Sequence, residues 1–300
     1  RALGALAPAG GAAEAKGAIG ALFEALGREG PVAIAAAGAL GAIGSRCYDE
    51  VQAVILAQGL RGAAGPYLCR VLAACGRPAD RPQLLAALKD ESAVLRRAAA
   101  DALGALGAAA AVTEALIFAL SDESISVRAA AARALGVLRD PAAAGALAAT
   151  AAEGAGGGDP VVQAAAIRAL GQLGDPAALP TLRLLADAPA GVLASAALEA
   201  LAQLAGAEGE PIFVRGLDHP DPEAAKAAVR ALAGRRTGAA LEGLRRALGH
   251  ARWDVRAAAV EALGARGHEP AAAAALRERL PAEEDPLVRQ ALGRALRGRD

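Results

Sequence analysis

Apolar residues recur along the chain in one pattern, V/L-R-x-A-A-x-x-A-L-G, with apolar positions three or four residues apart. This spacing places them on one face of an α-helix. The Leu that closes the pattern can be read at Leu3, Leu40, Leu72, Leu103, Leu135, Leu170, Leu201, Leu232, Leu263 and Leu296. The steps between these positions run from 31 to 37 residues. A nearly constant step of this length is typical of stacked helical units and predicts a single repeat array over residues 1–300.

Each repeat is predicted to be a pair of helices joined by short turns. In the clearest unit Asp159 is the expected N-cap, Pro160 opens the first helix, and Gly174 ends it. A second helix follows with Leu179, Leu182 and Leu185 at helical spacing. Ser92 and Ser124 occupy the cap position in other units, and the Gly of each A-L-G is interpreted as part of a turn.

Two segments interrupt the array. Ser45–Pro78 keeps the repeat length but loses the pattern, and it contains all three Cys and both Tyr. Glu153–Gly158 is a Gly-rich insertion. Each segment fits either of two explanations. One is neutral sequence divergence in an array that tolerates it, and the other is a binding site. The Cys spacing fits neither a disulfide framework nor a zinc site, so buried free thiols and a reducing compartment are expected.

Composition limits the functional classes. Hydrophobic residues make up 55% of the chain but aromatic residues only 2%, so stability must come from many small contacts. The formal net charge of zero argues against a general polyanion binder. The charge is uneven, because residues 1–225 carry 17 basic and 23 acidic side chains whereas residues 226–300 carry 15 and 9.

Catalytic motifs are not found in the sequence, and no cofactor or metal site is predicted. His219, His250 and His268 fall in predicted turns, and Trp253 is expected to pack over the turn between two repeats. The longest uncharged run, Gly30–Ser45, is too short and too weakly apolar to span a membrane. Since the chain starts at Arg1 inside a helix of the pattern, a fragment of a longer, cytoplasmic bacterial protein is expected.

One row of charged positions would lie side by side in a stack. Two residues before the closing Leu the chain has Gly38, Arg70, Asp101, Arg133, Arg168, Glu199, Arg230, Glu261 and Arg294. This row is either an ordinary solvated face with loosely paired charges or a recognition strip for a protein partner. In the second interpretation four of its arginines, Arg133, Arg168, Arg230 and Arg294, contact the partner.

A second row changes character along the chain. Three residues after the closing Leu the middle repeats have Leu106, Leu138, Leu173 and Leu204. The last three repeats have Arg235, Arg266 and Arg299 at this position. These arginines either complement helix C-termini and keep the end of the array soluble, or they form a site for an acidic partner, with Arg235 and Arg266 as its contacts.

The run from Val127 to Pro141 resembles the short HEAT-like repeat, the type also found in phycobilisome lyases. The Arg of the pattern recurs at Arg96, Arg128, Arg256 and Arg289, while Gln163 replaces it in one unit. The resemblance covers essentially the whole chain. It implies an all-α fold, a right-handed α-solenoid of about nine helix pairs with a leading helix remnant, whose second helices line a concave surface.

The resemblance says little about function, because such repeats serve many partners. The interpretation favoured by the sequence is a non-catalytic scaffold or adaptor that binds another protein, with no membrane span. The enzyme alternative is a bilin lyase or a lyase-like subunit. The nucleic-acid alternative is a HEAT-like protein with a basic groove, and the balanced charge argues against it.

Overall fold

A computed structural model describes residues 12–28, 30–153 and 158–297. Within them the chain forms eighteen α-helices, short 3-10 turns and no strand. The helices fall into two compact units, residues 1–150 and 151–300. Leu3, Arg299 and residues 154–157 of the Gly-rich insertion lie outside the described residues.

The helices of the first unit come first in the chain. They are α1 Ala12–Leu26, α2 Pro31–Gly44, α3 Tyr48–Gln58, α4 Gly65–Cys75, α5 Arg81–Ala87, α6 Ala93–Ala105, α7 Ala110–Ala119 and α8 Ile125–Leu138. Helix α9, Ala144–Ala152, runs across the boundary between the units.

The second unit continues the same alternation. Its helices are α10 Pro160–Leu173, α11 Leu179–Leu185, α12 Gly191–Leu204, α13 Glu210–Gly216, α14 Pro222–Ala233, α15 Gly238–Ala247, α16 Trp253–Ala265, α17 Pro270–Arg279 and α18 Pro286–Leu296. The even-numbered helices from α2 onward contain the closing Leu, and we call them motif helices. The odd-numbered helices are called outer helices.

The predicted helix boundaries at Asp-Pro and Gly are confirmed. Asp159 caps α10 by accepting a hydrogen bond from the Val161 amide at 2.8 Å, and Gly174 ends that helix with φ of 81°. Ser124 lies at a helix start, but its side chain makes no capping bond. Instead Asp122 accepts from the Ser124 amide at 2.8 Å, which fixes the turn before this helix.

Within each unit the motif helices pack directly on one another, and the A-L-G glycines permit this packing. Gly171 lies inside α10, where a Cβ would be only 2.9 Å from the Cα of Ala200. A Cβ on Gly104 would be 3.0 Å from the Cα of Ala134. The prediction that these glycines belong to turns is wrong: they lie inside helices, and they are small because two helix backbones approach closely.

At Arg96 and Arg256 the Arg of the pattern links consecutive repeats. Arg96 donates from Nη1 to the carbonyls of Asp90 and Glu91, each at 2.9 Å, in the turn before its own helix. Its Nε and Nη2 also bond both carboxylate oxygens of Asp122 in the next repeat, at 2.8 and 2.9 Å. Gln163 keeps the first of these roles, since its Nε2 donates to the carbonyl of Glu153.

The atypical segment still folds as a regular helix pair, α3 and α4. It is joined to α5 by Asp80, a fully buried carboxylate. Asp80 accepts hydrogen bonds from Tyr48 Oη, the side-chain amides of Gln52 and Gln83, and the backbone amide of Arg77. Burial, together with the bond to Asp80, raises the pKa of Tyr48 to about 12. The unusual polar residues of this segment therefore form an internal link between repeats.

Candidate partner-binding surface

The charged row on the motif helices is solvent-accessible along both units. Each charged side chain in it reaches solvent at least in part. Arg133 Nη2 lies 3.0 Å from Asp101 Oδ1, and Arg230 Nη2 lies 2.9 Å from Glu199 Oε1. The row therefore contains loosely paired charges of neighbouring repeats, as one of the two interpretations expects. Exposed pairs of this kind contribute little to stability.

Three arginines of the same row have no such pairing. Arg70 on α4, Arg168 on α10 and Arg294 on α18 are exposed and make no side-chain hydrogen bond or ion pair among the described residues. All three are free to bind a group from another molecule. Whether Arg133, Arg168, Arg230 and Arg294 contact a partner stays a prediction.

A groove runs between motif helices α14 and α16. It has a volume of about 420 Å³, and small residues, Ala233, Ala257 and Ala258, line it between the charged side chains. Trp253, in the first turn of α16, also lines the groove and is 44% exposed. The sequence indicated packing over a turn for Trp253. The structure instead leaves almost half of this large side chain open to solvent.

Charges of both signs surround Trp253. Lys226 Nζ lies 2.6 Å from Glu223 Oε1 and 3.6 Å from Asp254 Oδ2, and the hydrogen bond to Glu223 raises the pKa of Lys226. Arg252 hydrogen-bonds to Asp254 and lowers the pKa of that carboxyl. Lys226, Arg252 and Asp254 are charged over the physiological pH range, and each is paired with a neighbouring side chain of the protein. The groove thus combines an apolar centre with an ionic rim.

The second row of arginines does not form an open cationic site. Arg266 is only 2% exposed: its Nη1 donates to the carbonyl of Arg235 at 2.9 Å, and its Nη2 lies 2.8 Å from Glu269. Arg235 donates to the carbonyl of Ala205 and stacks 4.3 Å above the Phe213 ring. Because both guanidinium groups are used inside the array, the prediction that Arg266 contacts a partner is wrong, and Arg235 is only partly accessible.

The physical reason is visible in the positions of the acceptors. Ala205 is the first residue after motif helix α12 and Arg235 the second residue after motif helix α14, where carbonyl groups lack helical partners. An Arg at this position in the next repeat supplies the missing donors. Burial lowers the pKa of Arg235, as expected for a cation whose hydrating water is replaced by protein carbonyl groups.

Other cations near the C-terminal repeats are also paired. Arg236 lies 2.9 Å from Glu269, Arg245 3.5 Å from Glu278, and Arg246 3.1 Å from Asp218. The excess of basic residues after position 225 therefore does not produce a continuous patch of unpaired cations in the described part of the chain.

No catalytic constellation emerges from the histidines. His219 Nδ1 accepts a hydrogen bond from the Asp221 amide, and Nε2 lies 3.0 Å from the carbonyl of Ala188. His250 Nδ1 accepts from the Arg252 amide, so both histidines stabilise turns. In the described segments no three His, Cys, Asp or Glu side chains cluster as metal ligands would. No described helix is long and apolar enough to cross a membrane.

The thiols are free, as the sequence predicts. Cys69 is buried, and burial raises the pKa of its thiol to about 12. Cys47 and Cys75 are only half-buried. Buried free thiols are therefore confirmed in full for Cys69 alone.

Family models fit most of this helical array. The model for HEAT repeats matches residues 113–202 and 210–297, and the model for a single HEAT repeat matches residues 81–110. The chain belongs to the HEAT-repeat family. This confirms the resemblance that the Val127–Pro141 run indicated, and with it the all-α repeat fold.

Solved structures show the same fold. Yeast importin-β (Kap95p) is 14% identical over 95% of this chain and 44% of its own, with a TM-score of 0.67. YibA of Escherichia coli is 19% identical over 90% of this chain and 98% of its own, with a TM-score of 0.55. The chain is also similar to the CpcE–CpcF complex of phycocyanin lyase from Nostoc sp. PCC7120. That match has 25% identity over 73% of this chain and 94% of the other, with a TM-score of 0.47. The comparison with curated proteins gives no match.

Proposed function

We propose that this chain is a non-catalytic protein-interaction module that binds a partner protein on the exposed face of motif helices α14, α16 and α18. The observation that carries the proposal is Trp253, the single Trp of the chain, exposed in the groove between α14 and α16. A large exposed aromatic side chain without a partner is unusual in a chain with so few aromatic residues.

The chemistry of the groove fits a protein partner. Trp and Arg are the residues that most often dominate binding energy at interfaces, especially where a ring of polar groups excludes water around them. Here Lys226, Arg230 and Glu261 line the groove together with Trp253. An apolar side chain of the partner packs on the indole, and the rim charges fix its orientation.

The unpaired arginine of this face indicates the charge of the partner. Arg294 and Glu261 line a second, smaller depression between α16 and α18. Since Arg294 lacks an ion pair among the described residues, an acidic side chain on the partner would complete it. Arg266 does not contribute, because it is buried.

Affinity capture with the immobilised chain from a lysate of its source organism, quantified by mass spectrometry, tests the proposal. Trp253→Ala is expected to lower the recovery of a stoichiometric partner by about tenfold or more, in line with the loss of an interface anchor. Val192→Ala is the matched control, because Val192 also lies in the first turn of a motif helix and is 45% exposed, but does not line this groove. Equal recovery by both variants contradicts the proposal.

Two further measurements address the alternative functions. The chain incubated with a bilin and its apoprotein is expected to give no covalent adduct, and adduct formation would establish lyase activity instead. Duplex DNA at low salt is expected to show no mobility shift. A shift that falls steeply with salt would establish nucleic-acid binding.

A further inference from the structure

The outer helices carry a second exposed surface, unrelated to the motif-helix groove. Their fully buried residue recurs as Leu84, Leu116, Leu147, Leu182, Phe213, Leu244 and Leu276. Two positions later each outer helix from α5 to α17 presents a residue to solvent. At this position stand Ala86, Phe118, Ala149, Leu184, Arg215, Arg246 and Glu278.

In the second unit an Arg at this position connects neighbouring repeats. Arg215 bonds Asp187 at 2.9 Å, and Arg246 bonds Asp218 at 3.1 Å. Each Asp lies five residues after the buried residue of the preceding outer helix. In the first unit neither equivalent pair, Ala149 with Ser121 or Phe118 with Lys89, can form an ion pair. The bridge is therefore missing between α7 and α9 and also between α5 and α7.

An open groove occupies the place between α5 and α7. Its volume is about 930 Å³, and Leu88, Ala115 and Ala119 form part of its lining. Phe118 lines the groove and is 85% exposed. Covering a Phe side chain removes roughly 150–250 Å² from water. This is the largest gain that an exposed residue of this unit offers to a binding partner.

Carboxylates outnumber cations around the groove. Its lining contains Asp90, Glu114, Asp122 and Glu123, against Lys89 and Arg96. The single guanidinium of Arg96 is shared by Asp122 at 2.8 Å and Glu123 at 3.0 Å, and Glu123 is largely exposed. Glu114, one turn before Phe118, is exposed and has no ion pair among the described residues. The groove is thus an apolar surface with a net negative rim.

We propose that this groove binds a short, basic amphipathic helix of another protein. Apolar residues of that helix pack on Phe118 and Leu88, and its Lys or Arg side chains pair with Glu114 and Glu123. The groove lies between two helices whose backbone groups are already hydrogen-bonded, so it offers side-chain contacts alone. A bound helix satisfies its own backbone, whereas an extended peptide would bury unpaired amides and carbonyls.

The rim charge also selects against other occupants. Anionic lipid headgroups and acidic peptides are repelled by the excess of carboxylates. A basic helix gains both the attraction and the apolar contact. The surface lies within residues 1–150 and does not include Trp253, so this inference stands independently of the proposed function.

A displayed library of helical peptides tests the proposal directly. The library is depleted on the Phe118→Ser protein and then selected on the unmodified chain. The expected clones carry net positive charge and apolar residues at helical i, i+3 and i+4 positions. Failure to enrich any clone, or enrichment of acidic or uncharged clones, overturns the proposal.

Fluorescence anisotropy with the selected peptide locates the binding site. Phe118→Ser and Glu114→Lys are each expected to weaken its binding by about tenfold or more. Leu184→Ser is the matched control, because Leu184 has the equivalent outer position and is 74% exposed, yet lies outside this groove. An equal loss in Leu184→Ser, or no loss in Phe118→Ser, contradicts the site. All three substitutions are at exposed positions, and circular dichroism checks that the fold is kept.

Discussion

Arg256 and Glu283 join two consecutive repeats through a bidentate ion pair. Arg256 Nε lies 3.0 Å from Glu283 Oε2, and Nη2 lies 2.8 Å from Oε1. The Glu283 side chain is fully buried, and Arg279 also contacts it at 2.8 Å. The pair repeats the geometry of Arg96 and Asp122 in the first unit. At these two positions the Arg of the sequence pattern thus acts as a structural link between neighbours.

Removing that link should destabilise the repeats that it joins. Arg256→Ala leaves the buried Glu283 carboxylate with Arg279 as its remaining ion-pair partner. We therefore expect the free energy of unfolding to fall by about 2–4 kcal/mol. Urea denaturation measures the change. Because each repeat contacts only its neighbours, hydrogen exchange should also accelerate most in α16 and α18.

Arg289 provides the control for this substitution. It occupies the same position of the pattern on α18, but its exposed side chain makes no hydrogen bond among the described residues. Arg289→Ala should change the stability by no more than about 0.5 kcal/mol. Similar losses for the two variants would show that the Arg acts through helix propensity and not through the inter-repeat pair.

The same pair predicts how acid affects stability. Hydrogen bonds from Arg256 hold the pKa of Glu283 at about 2, against an ordinary value of 4.5. A lowered pKa in the folded state gives stability that is present above pH 4.5 and is lost as the pH falls towards 2. The difference corresponds to about 3 kcal/mol.

Thermal unfolding followed between pH 6 and pH 2 measures this dependence. Since other carboxyls, including those of Asp122 and Asp254, also have lowered pKa values, the comparison needs a variant. Glu283→Gln should be less stable at neutral pH and should lose about 3 kcal/mol less than the unmodified chain on acidification. Parallel pH curves for the two proteins would refute the assignment.

Adding one methyl group is expected to change the stability in opposite directions at two glycines, because only one of them lies against a neighbouring motif helix. At Gly171 a Cβ would lie 2.9 Å from both Cα and Cβ of Ala200, so Gly171→Ala should destabilise by about 1–3 kcal/mol. At Gly20, inside α1, a Cβ would have no atom within 4 Å. Gly20→Ala should therefore stabilise by about 0.5–1 kcal/mol. Chemical denaturation of both variants gives the two signs, and a stabilising Gly171→Ala would exclude tight backbone contact.

Much of the fold was accessible from local pattern. Asp159 and Gly174 mark the ends of α10 because capping and left-handed conformations depend on a few neighbouring residues. The role of Gly171 was not accessible in this way. A Gly after Leu is compatible with a turn, and only the position of Ala200 on the next motif helix shows why a side chain is excluded.

The candidate surfaces depended even more on tertiary contacts. The sequence makes both Arg266 and Arg294 candidate contacts, yet one is buried against Glu269 and the other is exposed. Phe118 belongs to an apolar stretch of α7, and nothing local distinguishes it from buried neighbours. A signal was present only in the comparison of repeats, because Arg215 and Arg246 occupy the position that Phe118 has in the first unit.

The sequence by itself determined that this protein is an array of helix pairs, since a fixed step of about thirty residues and helical spacing of small apolar side chains are sufficient for that architecture. Which side chains remain available to a partner was decided by the tertiary structure. A guanidinium or an aromatic ring can be satisfied by groups about thirty residues away, as Arg266, Arg256 and Arg235 are, or left open, as Trp253 and Phe118 are. That difference depends on which groups of the neighbouring repeat lie within reach of the side chain, and the local sequence does not give their positions.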